Sequence, residues 1–174
     1  GALGIDLGPV GVTPNDPDDP DPGANLLQNF PVVTAVVLDA TTTQIGGTFN
    51  SIPLLTYQLE FFSTIVCDAS GNGPGQRSLG SVLTWTDSGG DASFFVAIPS
   101  AVPGAFVTAT ATDPVGNTSE FSACFAVPGP SVASIGPSSG PAGAANAVTI
   151  HGANFQSGAT VKIVMVSAQN VAGS

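Results

Sequence analysis

The sequence has 174 residues, of which two are basic and twelve acidic, so the net charge at neutral pH is −10. Nucleic-acid-binding proteins neutralise phosphates with lysine and arginine, and two basic residues exclude that class. The longest apolar stretches, such as residues 31–38, are far shorter than the roughly 20 residues that span a bilayer. A hydrophobic fraction of 43% predicts a folded chain rather than a disordered one.

Residues 1–12 form an apolar stretch in which side chains alternate in character. Alternation of this kind predicts an extended strand, yet no partner for it is evident among the seven predicted strands of the sandwich described below. Together with the acidic stretch that follows, this strand is predicted to form a separate N-terminal segment, residues 1–27.

A Pro/Asp-rich stretch follows at residues 15–25. It places four carboxylates within six residues: Asp16, Asp18, Asp19 and Asp21. Concentrated carboxylate oxygens are the ligands that Ca²⁺ prefers, although the spacing is not that of an EF-hand. The stretch therefore predicts either a calcium site or a solvated acidic linker.

Seven short runs rich in Thr, Val and Phe come next, separated by Gly, Pro and Asp. They predict strands at residues 30–38, 42–50, 54–63, 78–86, 92–98, 106–112 and 118–127. In the third run, alternation places Leu55, Tyr57, Leu59 and Phe61 on one buried face; in the fifth, Phe94, Val96 and Ile98 are predicted to face inward. Residues 28–127 are therefore predicted to form an all-β, seven-stranded immunoglobulin-like sandwich.

Two of the intervening turns, residues 87–90 and 113–117, contain residues that favour hairpins. The second resembles an Asp-x-x-Gly-Asn turn that contributes to interdomain calcium sites in bacterial immunoglobulin-like surface modules. That resemblance implies Asp113 and Asn117 as further calcium ligands. The alternative is a hairpin turn held by these two side chains.

Cys67 and Cys124 are the two cysteines of the chain, and they do not form a C-x-x-C motif. This count and spacing favour one disulfide over a metal or redox site, with two buried free thiols as the alternative. Only 8% of the residues are charged, against about 25% in average soluble proteins. Both features are typical of a secreted or cell-surface protein.

Pro128, Gly129 and Pro130 predict a linker, because proline blocks continuation of a strand. The residues after it, 131–143, 147–155 and 157–163, resemble the start of an IPT/TIG domain, a small immunoglobulin-like sandwich of surface proteins and transcription factors. The resemblance rests on Ile135, Pro137, Gly140, Gly143, Val148, Ile150, Gly152, Phe155, Gly158, Ala159 and Val161. It covers about half of such a domain, so residues 131–174 are predicted to be a partial IPT/TIG-like module.

Residues 1–127 also resemble a region of known proteins. The segments GIDLG (residues 4–8), GVTPND (11–16), LQNFP (27–31), CDASG (67–71) and TATDPVGNTSEFSAC (110–124) resemble the region that follows parallel β-helix repeats in large secreted bacterial proteins. The resemblance implies that residues 1–12 are the end of a last β-helix coil. It also implies a structural or adhesive role.

The sequence contains only weak matches to catalytic motifs. Residues 136–140, GPSSG, formally match the G-x-S-x-G nucleophile elbow, but that motif needs a strand-to-helix turn in an α/β sheet. His151, the only histidine, is predicted to be a half-buried strand residue. Glu60, Asp113 and Glu120 suggest no shared cleft for glycoside cleavage. We therefore predict that the protein is not an enzyme.

A partial sandwich leaves an apolar face and an unpaired edge exposed. The N-terminal strand of one copy could complete the C-terminal module of the next, giving a head-to-tail surface filament. Alternatively, the chain is a stalk module of a large surface adhesin and contacts other domains of a longer chain. A third hypothesis is a carbohydrate-binding accessory module that docks glycans, for which only Trp85 and Tyr57 could provide an aromatic platform.

Overall fold

The computed structural model describes residues 3–39, 42–99, 104–138, 147–155 and 160. These residues are nearly all β, which confirms the predicted fold class. Nine strands are present in them: β1 (Val32–Leu38), β2 (Thr43–Asn50), β3 (Thr56–Thr64), β4 (Arg77–Trp85), β5 (Asp91–Ile98), β6 (Phe106–Thr112), β7 (Phe125–Ala126), β8 (Ser131–Gly136) and β9 (Thr149–Ala153). A short 3₁₀ turn, Ala24–Leu27, precedes β1, and its residues Asn25 and Leu26 have left-handed backbone angles.

The first seven strands form two antiparallel sheets. One has the order β1-β2-β5 and the other the order β4-β3-β6-β7. Their inner faces enclose one core, to which the first sheet contributes Val33, Val36, Ile45, Phe49, Phe94 and Ile98, and the second contributes Tyr57, Leu59, Phe61, Val107, Ala109 and Ala111. This is an immunoglobulin-like β-sandwich.

Alternation along the strands decides which side chains enter this core. Tyr57, Leu59 and Phe61 of β3 are fully buried, as the sequence predicts. Phe49 packs edge-on against Tyr57 with ring centroids 4.9 Å apart, which is the geometry that aromatic pairs favour. In β5, Phe94 and Ile98 are buried and Val96 is partly buried against the core, whereas Phe95 points outward and is 67% exposed.

The last predicted strand of the sandwich, 118–127, is much shorter in the structure. Only Phe125–Ala126 form β7. Upstream, the hydroxyls of Ser119 and Ser122 accept the N–H groups of Ala111 and Ala109. These serine hydroxyls replace the backbone carbonyls of a regular ladder, so the segment runs beside β6 without being a strand.

The predicted N-terminal strand is absent from residues 3–12, which adopt loop conformations. The alternating pattern was a poor guide here because the segment contains turn-forming glycines. Gly8 and Gly11 have φ values of +88° and +106°, a region that glycine enters without steric cost and that breaks an extended strand. The backbone amides of this segment bind a side chain of the sandwich instead, as described below.

The C-terminal module is described over residues 131–138 and 147–155. Here β8 and β9 form an antiparallel pair and, among the described residues, join no further strand. Five of the six positions of β8 are exposed. The motif positions Gly140, Gly143, Gly158, Ala159 and Val161 lie outside the described residues.

Candidate functional site

The acidic stretch is held against the sandwich by asparagine side chains. Asn15 exchanges two hydrogen bonds with the backbone of Phe30, at 2.7 and 2.9 Å. Asn29 does the same with the backbone of Asp16, at 3.0 and 2.7 Å. Neutral amide groups therefore dock the backbone of this stretch, and they provide an ordering contact that a freely solvated linker lacks.

Asn50 continues this set of contacts. Its side chain accepts the N–H of Asp18 at 2.9 Å and donates to Asp91 Oδ1 at 2.9 Å. Asp18 and Asp19 both adopt left-handed φ values, +62° and +54°. This turn carries Asp19 into the protein while Asp18 stays at the surface.

Asp19 is a buried carboxyl group, 4% exposed. Its Oδ2 accepts three hydrogen bonds, from the Gln28 side chain at 2.5 Å, the Asn29 N–H at 3.1 Å and the Ser51 hydroxyl at 2.5 Å. Its Oδ1 is buried and has no hydrogen-bond partner among the described residues. Burial raises the pKa of Asp19, and the Ser51 hydrogen bond only partly opposes that rise.

Ser51 connects this carboxyl to the core. A hydrogen bond of 2.9 Å joins its hydroxyl to that of Tyr57, and burial raises the pKa of Tyr57 above its ordinary value. Since Tyr57 is fully buried, the hypothesis that it forms part of an exposed aromatic platform is wrong. Its ring packs in the core and its hydroxyl anchors the acidic stretch through Ser51.

The calcium hypothesis places ligands at Asp16, Asp18, Asp19 and Asp21. Burial raises the pKa of Asp16, and the nearby Asp21 adds to that rise. No group of three or more His, Cys, Asp or Glu side chains that could hold a metal ion is present in the described part of the chain. A Ca²⁺ ion here would therefore depend on backbone or amide oxygens and water for most of its ligands. Calcium binding by this stretch stays a prediction.

The second pair of predicted calcium ligands, Asp113 and Asn117, forms a hairpin turn. Asp113 Oδ1 accepts the N–H groups of Val115 and Asn117 at 2.9 and 2.8 Å, and Oδ2 accepts the Asn117 side-chain amide at 2.7 Å. Burial by itself raises the pKa of Asp113, but these bonds together lower it below the ordinary value. The contacts are those of the hairpin alternative, and a calcium role for the pair remains a prediction.

Glu120 forms a contact that the sequence did not indicate. This carboxylate is 2% exposed, and its two oxygens accept the backbone N–H groups of Leu7 and Thr13, each at 2.9 Å. The Thr13 hydroxyl lies 3.4 Å from Oε1. Glu120 therefore holds the N-terminal segment on the sandwich, across 113 and 107 residues of sequence.

The neighbouring residue, Phe121, lies in a slot made by glycines. A β-carbon added at Gly73 or Gly75 would lie 2.4 or 2.5 Å from Phe121, and one added at Gly4 would lie 3.0 Å from it. Phe62 closes the slot with an edge-on ring contact at 5.3 Å. Glu120 and Phe121 together join the N-terminal segment, the loop at residues 68–76 and the sandwich.

The same loop is crosslinked. Cys67 and Cys124 form a disulfide, as predicted from the sequence. Hydrogen bonds from the N–H of Cys124 to Gly71 and from the N–H of Gly73 to Ser122, at 2.9 and 3.0 Å, reinforce the attachment. The loop is thereby fixed to the segment that precedes β7.

The residues considered for catalysis are not brought together. His151 is exposed on β9, and Ser138, the nucleophile position of the formal G-x-S-x-G match, is exposed just after β8. Glu60 lies on β3, and both oxygens of Glu120 bind backbone amides. These candidate residues therefore form no pair of nucleophile and base.

One comparison with known proteins identifies part of the chain. Residues 130–173 match the IPT/TIG domain, which confirms that resemblance and extends it beyond residue 163. The comparison does not show the proposed likeness of residues 1–127 to regions that follow β-helix repeats. A search of curated proteins found no match to the chain.

IPT/TIG domains occur in extracellular and surface proteins as structural or adhesion modules, and their fold is typically non-catalytic. Among the described residues, no helix is long and apolar enough to cross a membrane. The disulfide and the domain match are both compatible with an extracellular protein. The chain thus combines an immunoglobulin-like sandwich with a C-terminal region that is similar to the IPT/TIG domain.

Proposed function

We propose that this protein is a non-catalytic, secreted or cell-surface structural protein, either a filament subunit assembled head-to-tail by β-strand addition or a stalk module of a large surface adhesin. The observation that carries the proposal is the exposed β8–β9 pair. Among the described residues these strands pair only with each other. Two-stranded sheets are marginal in water unless further strands or a packing face are added.

The side chains of this pair provide a reason for association. Val132 and Ile135 of β8 are 53% and 41% exposed, and Val148, which directly precedes β9, is 41% exposed. Burying an aliphatic side chain of this size contributes about 1.5–3 kcal/mol when it goes from exposed to fully buried. A strand added beside β8 or β9 would also satisfy the backbone groups of an open edge.

The extracellular setting is supported by the disulfide and by the low charged fraction of the sequence, 8%. A crosslink between Cys67 and Cys124 persists in an oxidising compartment and is rare in the cytosol. It fixes the loop at residues 68–76 to the sandwich.

The contacts of the N-terminal segment help to distinguish the filament subunit from the stalk module. If residues 1–12 donate a strand to another copy, they must leave Glu120, which holds the N–H groups of Leu7 and Thr13. A buried carboxylate that loses its partners costs roughly 1–3 kcal/mol or more. The stalk form requires no such release, so these contacts favour it.

Electron microscopy and light scattering of the full chain at high concentration test the proposal. If strands add at the β8–β9 pair, Ile135→Lys should abolish end-to-end particles, because a charge would be buried in the new interface. Ser134→Lys, a change at an adjacent exposed position, should leave them intact. Monomers at every concentration in the unmodified chain would contradict the filament form.

A further variant tests whether residues 1–12 are the donated strand. If residues 1–12 are the donor, Glu120→Gln weakens their docking and should increase filament formation. If they are not, the same variant should leave the assembly state unchanged. That second result, with assembly still sensitive to Ile135→Lys, would assign the added strand to another segment.

A further inference from the structure

A groove lies on the sandwich at the connection between β4 and β5. It has a volume of about 480 Å³, is open to solvent, and is lined by Thr48, Trp85, Asp87, Asp91, Ala92 and Ser93. Trp85, the last residue of β4, is 56% exposed. An indole of this exposure leaves a flat apolar surface in contact with water, next to polar side chains.

The two carboxylates of the groove are each held through one oxygen. Asp87 Oδ1 accepts the N–H groups of Gly89 and Asp91 at 2.8 and 3.1 Å. Asp91 Oδ1 accepts the Asn50 side-chain amide at 2.9 Å. Neither Oδ2 has a hydrogen-bond partner within the described residues, so each carboxylate is positioned by the fold and retains an oxygen that can accept from a ligand.

We propose that this groove binds a neutral saccharide. A pyranose ring has an apolar face of C–H groups, which can pack on the Trp85 indole, and a rim of hydroxyls, which can donate to the free oxygens of Asp87 and Asp91. Hydrogen bonds to ionised acceptors are the stronger ones. The hydroxyls of Thr48 and Ser93 can donate to or accept from the sugar oxygens.

The size and the mixture of groups favour a sugar over a basic side chain. The groove's volume of about 480 Å³ falls in the range of about 300–1,000 Å³ found for small-ligand sites, and it combines one aromatic surface with fixed polar groups. A lysine or arginine of a partner would use the indole and the carboxylates, but it would give no role to the donor capacity of the Thr48 and Ser93 hydroxyls, because neither basic side chain has an acceptor. The inference is independent of the assembly proposed above.

The experiment is direct because Trp85 is the only tryptophan of the chain, so tryptophan fluorescence reports on this groove alone. The full chain is titrated with cellotriose, maltotriose and chitotriose, each to about 10 mM, a range that detects millimolar dissociation constants. We expect at least one to shift the emission saturably and to protect Trp85 from quenching by acrylamide. No saturable response to any of the three would overturn the proposal.

Substitutions then locate the site. Asp87→Asn and Asp91→Asn keep an oxygen for the internal contacts and keep the fluorophore, and each should weaken binding about fivefold to tenfold by removing one charged acceptor. Trp85→Ala should abolish binding measured by calorimetry. Phe95→Ala is the matched control, because Phe95 is an exposed aromatic that does not line the groove, and it should bind as the unmodified chain does.

Two further outcomes contradict the inference. One is equal loss of binding in Phe95→Ala and Trp85→Ala, which would indicate non-specific binding of saccharides to exposed aromatic side chains. The other is a salt-sensitive response to heptalysine with none to the saccharides, which would indicate a basic peptide ligand.

Discussion

Glu120 accepts a hydrogen bond from the backbone N–H of Thr13, at 2.9 Å and across 107 residues of sequence. A second bond of the same length reaches Leu7. A buried carboxylate thus serves the N-terminal segment as an adjacent strand would, by accepting its backbone donors. This contact holds the segment against the first sandwich.

Glu120→Gln should loosen the N-terminal segment. Glutamine retains one acceptor oxygen but places an NH₂ group against a backbone N–H, so we expect a loss of about 1–3 kcal/mol in stability. Hydrogen exchange measured by mass spectrometry should accelerate in residues 3–13 and change little in β3 and β6. Glu60→Gln, a change on β3 away from these bonds, is the control. Unchanged exchange in residues 3–13 would contradict the assigned role of Glu120.

Gly73→Ala should destabilise the packing around Phe121. The added methyl would lie 2.4 Å from the Phe121 β-carbon, which cannot rotate away, so we expect a cost of about 1–3 kcal/mol in urea unfolding. Gly129→Ala is the matched control, since an added β-carbon there meets nothing within 4 Å. A surface change of that kind should stay within about 0.5 kcal/mol. Equal stabilities of the two variants would contradict the glycine slot.

Removing the disulfide should lower stability while preserving the fold. The crosslink spans 57 residues of sequence, and closing a loop of that length is worth about 4 kcal/mol in the chain-entropy account. The double variant Cys67→Ala/Cys124→Ala should show that loss in urea unfolding, with circular dichroism unchanged. Treating the unmodified protein with reductant should give a similar loss. A variant as stable as the oxidised protein would be inconsistent with this account.

Asp19 should make a contribution to the stability of the folded protein that increases as the pH falls. Burial raises its pKa in the folded protein above the ordinary value near 3.8, so the folded state holds this proton more tightly than the unfolded chain does. Its favourable contribution is complete below the unfolded pKa and is lost as the pH rises through the folded pKa. The stability of the unmodified chain relative to Asp19→Asn should therefore increase as the pH falls from neutral. Urea unfolding in the presence of chelator measures this difference, and a difference that is constant or shrinks in acid would contradict the assignment.

Calcium binding at the acidic stretch is tested separately. If Asp16 and Asp21 contribute to a site, Ca²⁺ should raise the melting temperature of chelator-treated protein, because a ligand of the folded state stabilises it by mass action. Asp16→Asn combined with Asp21→Asn should remove that effect, while Asp113→Asn reports on the second candidate pair. A melting curve that neither calcium nor chelator changes would contradict calcium binding both at the acidic stretch and at the Asp113–Asn117 pair.

Much of the sandwich was predictable because its strands are half buried. A strand with one face in the core must alternate apolar and polar side chains, and the pattern of Leu59 and Phe61 against Gln58 and Glu60 gave β3 correctly. The turns at residues 87–90 and 113–117 were identified by residues that suit tight turns. These signals are local, so a single sequence contains them.

The prediction of strands from alternation was wrong where side chains, instead of a neighbouring backbone, accept the backbone hydrogen bonds. Most of the strand predicted at residues 118–127 is not a regular strand in the structure. The hydroxyls of Ser119 and Ser122 accept hydrogen bonds from the backbone N–H groups of β6, where backbone carbonyls would accept them in a regular ladder. The strand predicted at residues 1–12 is a loop where the structure describes it, held by Glu120. Serine and glutamate are ordinary surface residues, and their sequence neighbours do not indicate a buried partner more than a hundred residues away.

By itself the sequence determined the all-β class, the inward faces of the main strands, the disulfide, the IPT/TIG resemblance and a strongly acidic character. These follow from periodicity, composition and short motifs. Only the tertiary structure decided that Asp19 is buried beside Ser51, that Glu120 holds the N-terminal segment, and that Tyr57 is in the core while Trp85 lines an open groove. The reason is physical: burial and hydrogen-bond partners depend on which distant segments meet, and that is fixed only when the two sheets pack together.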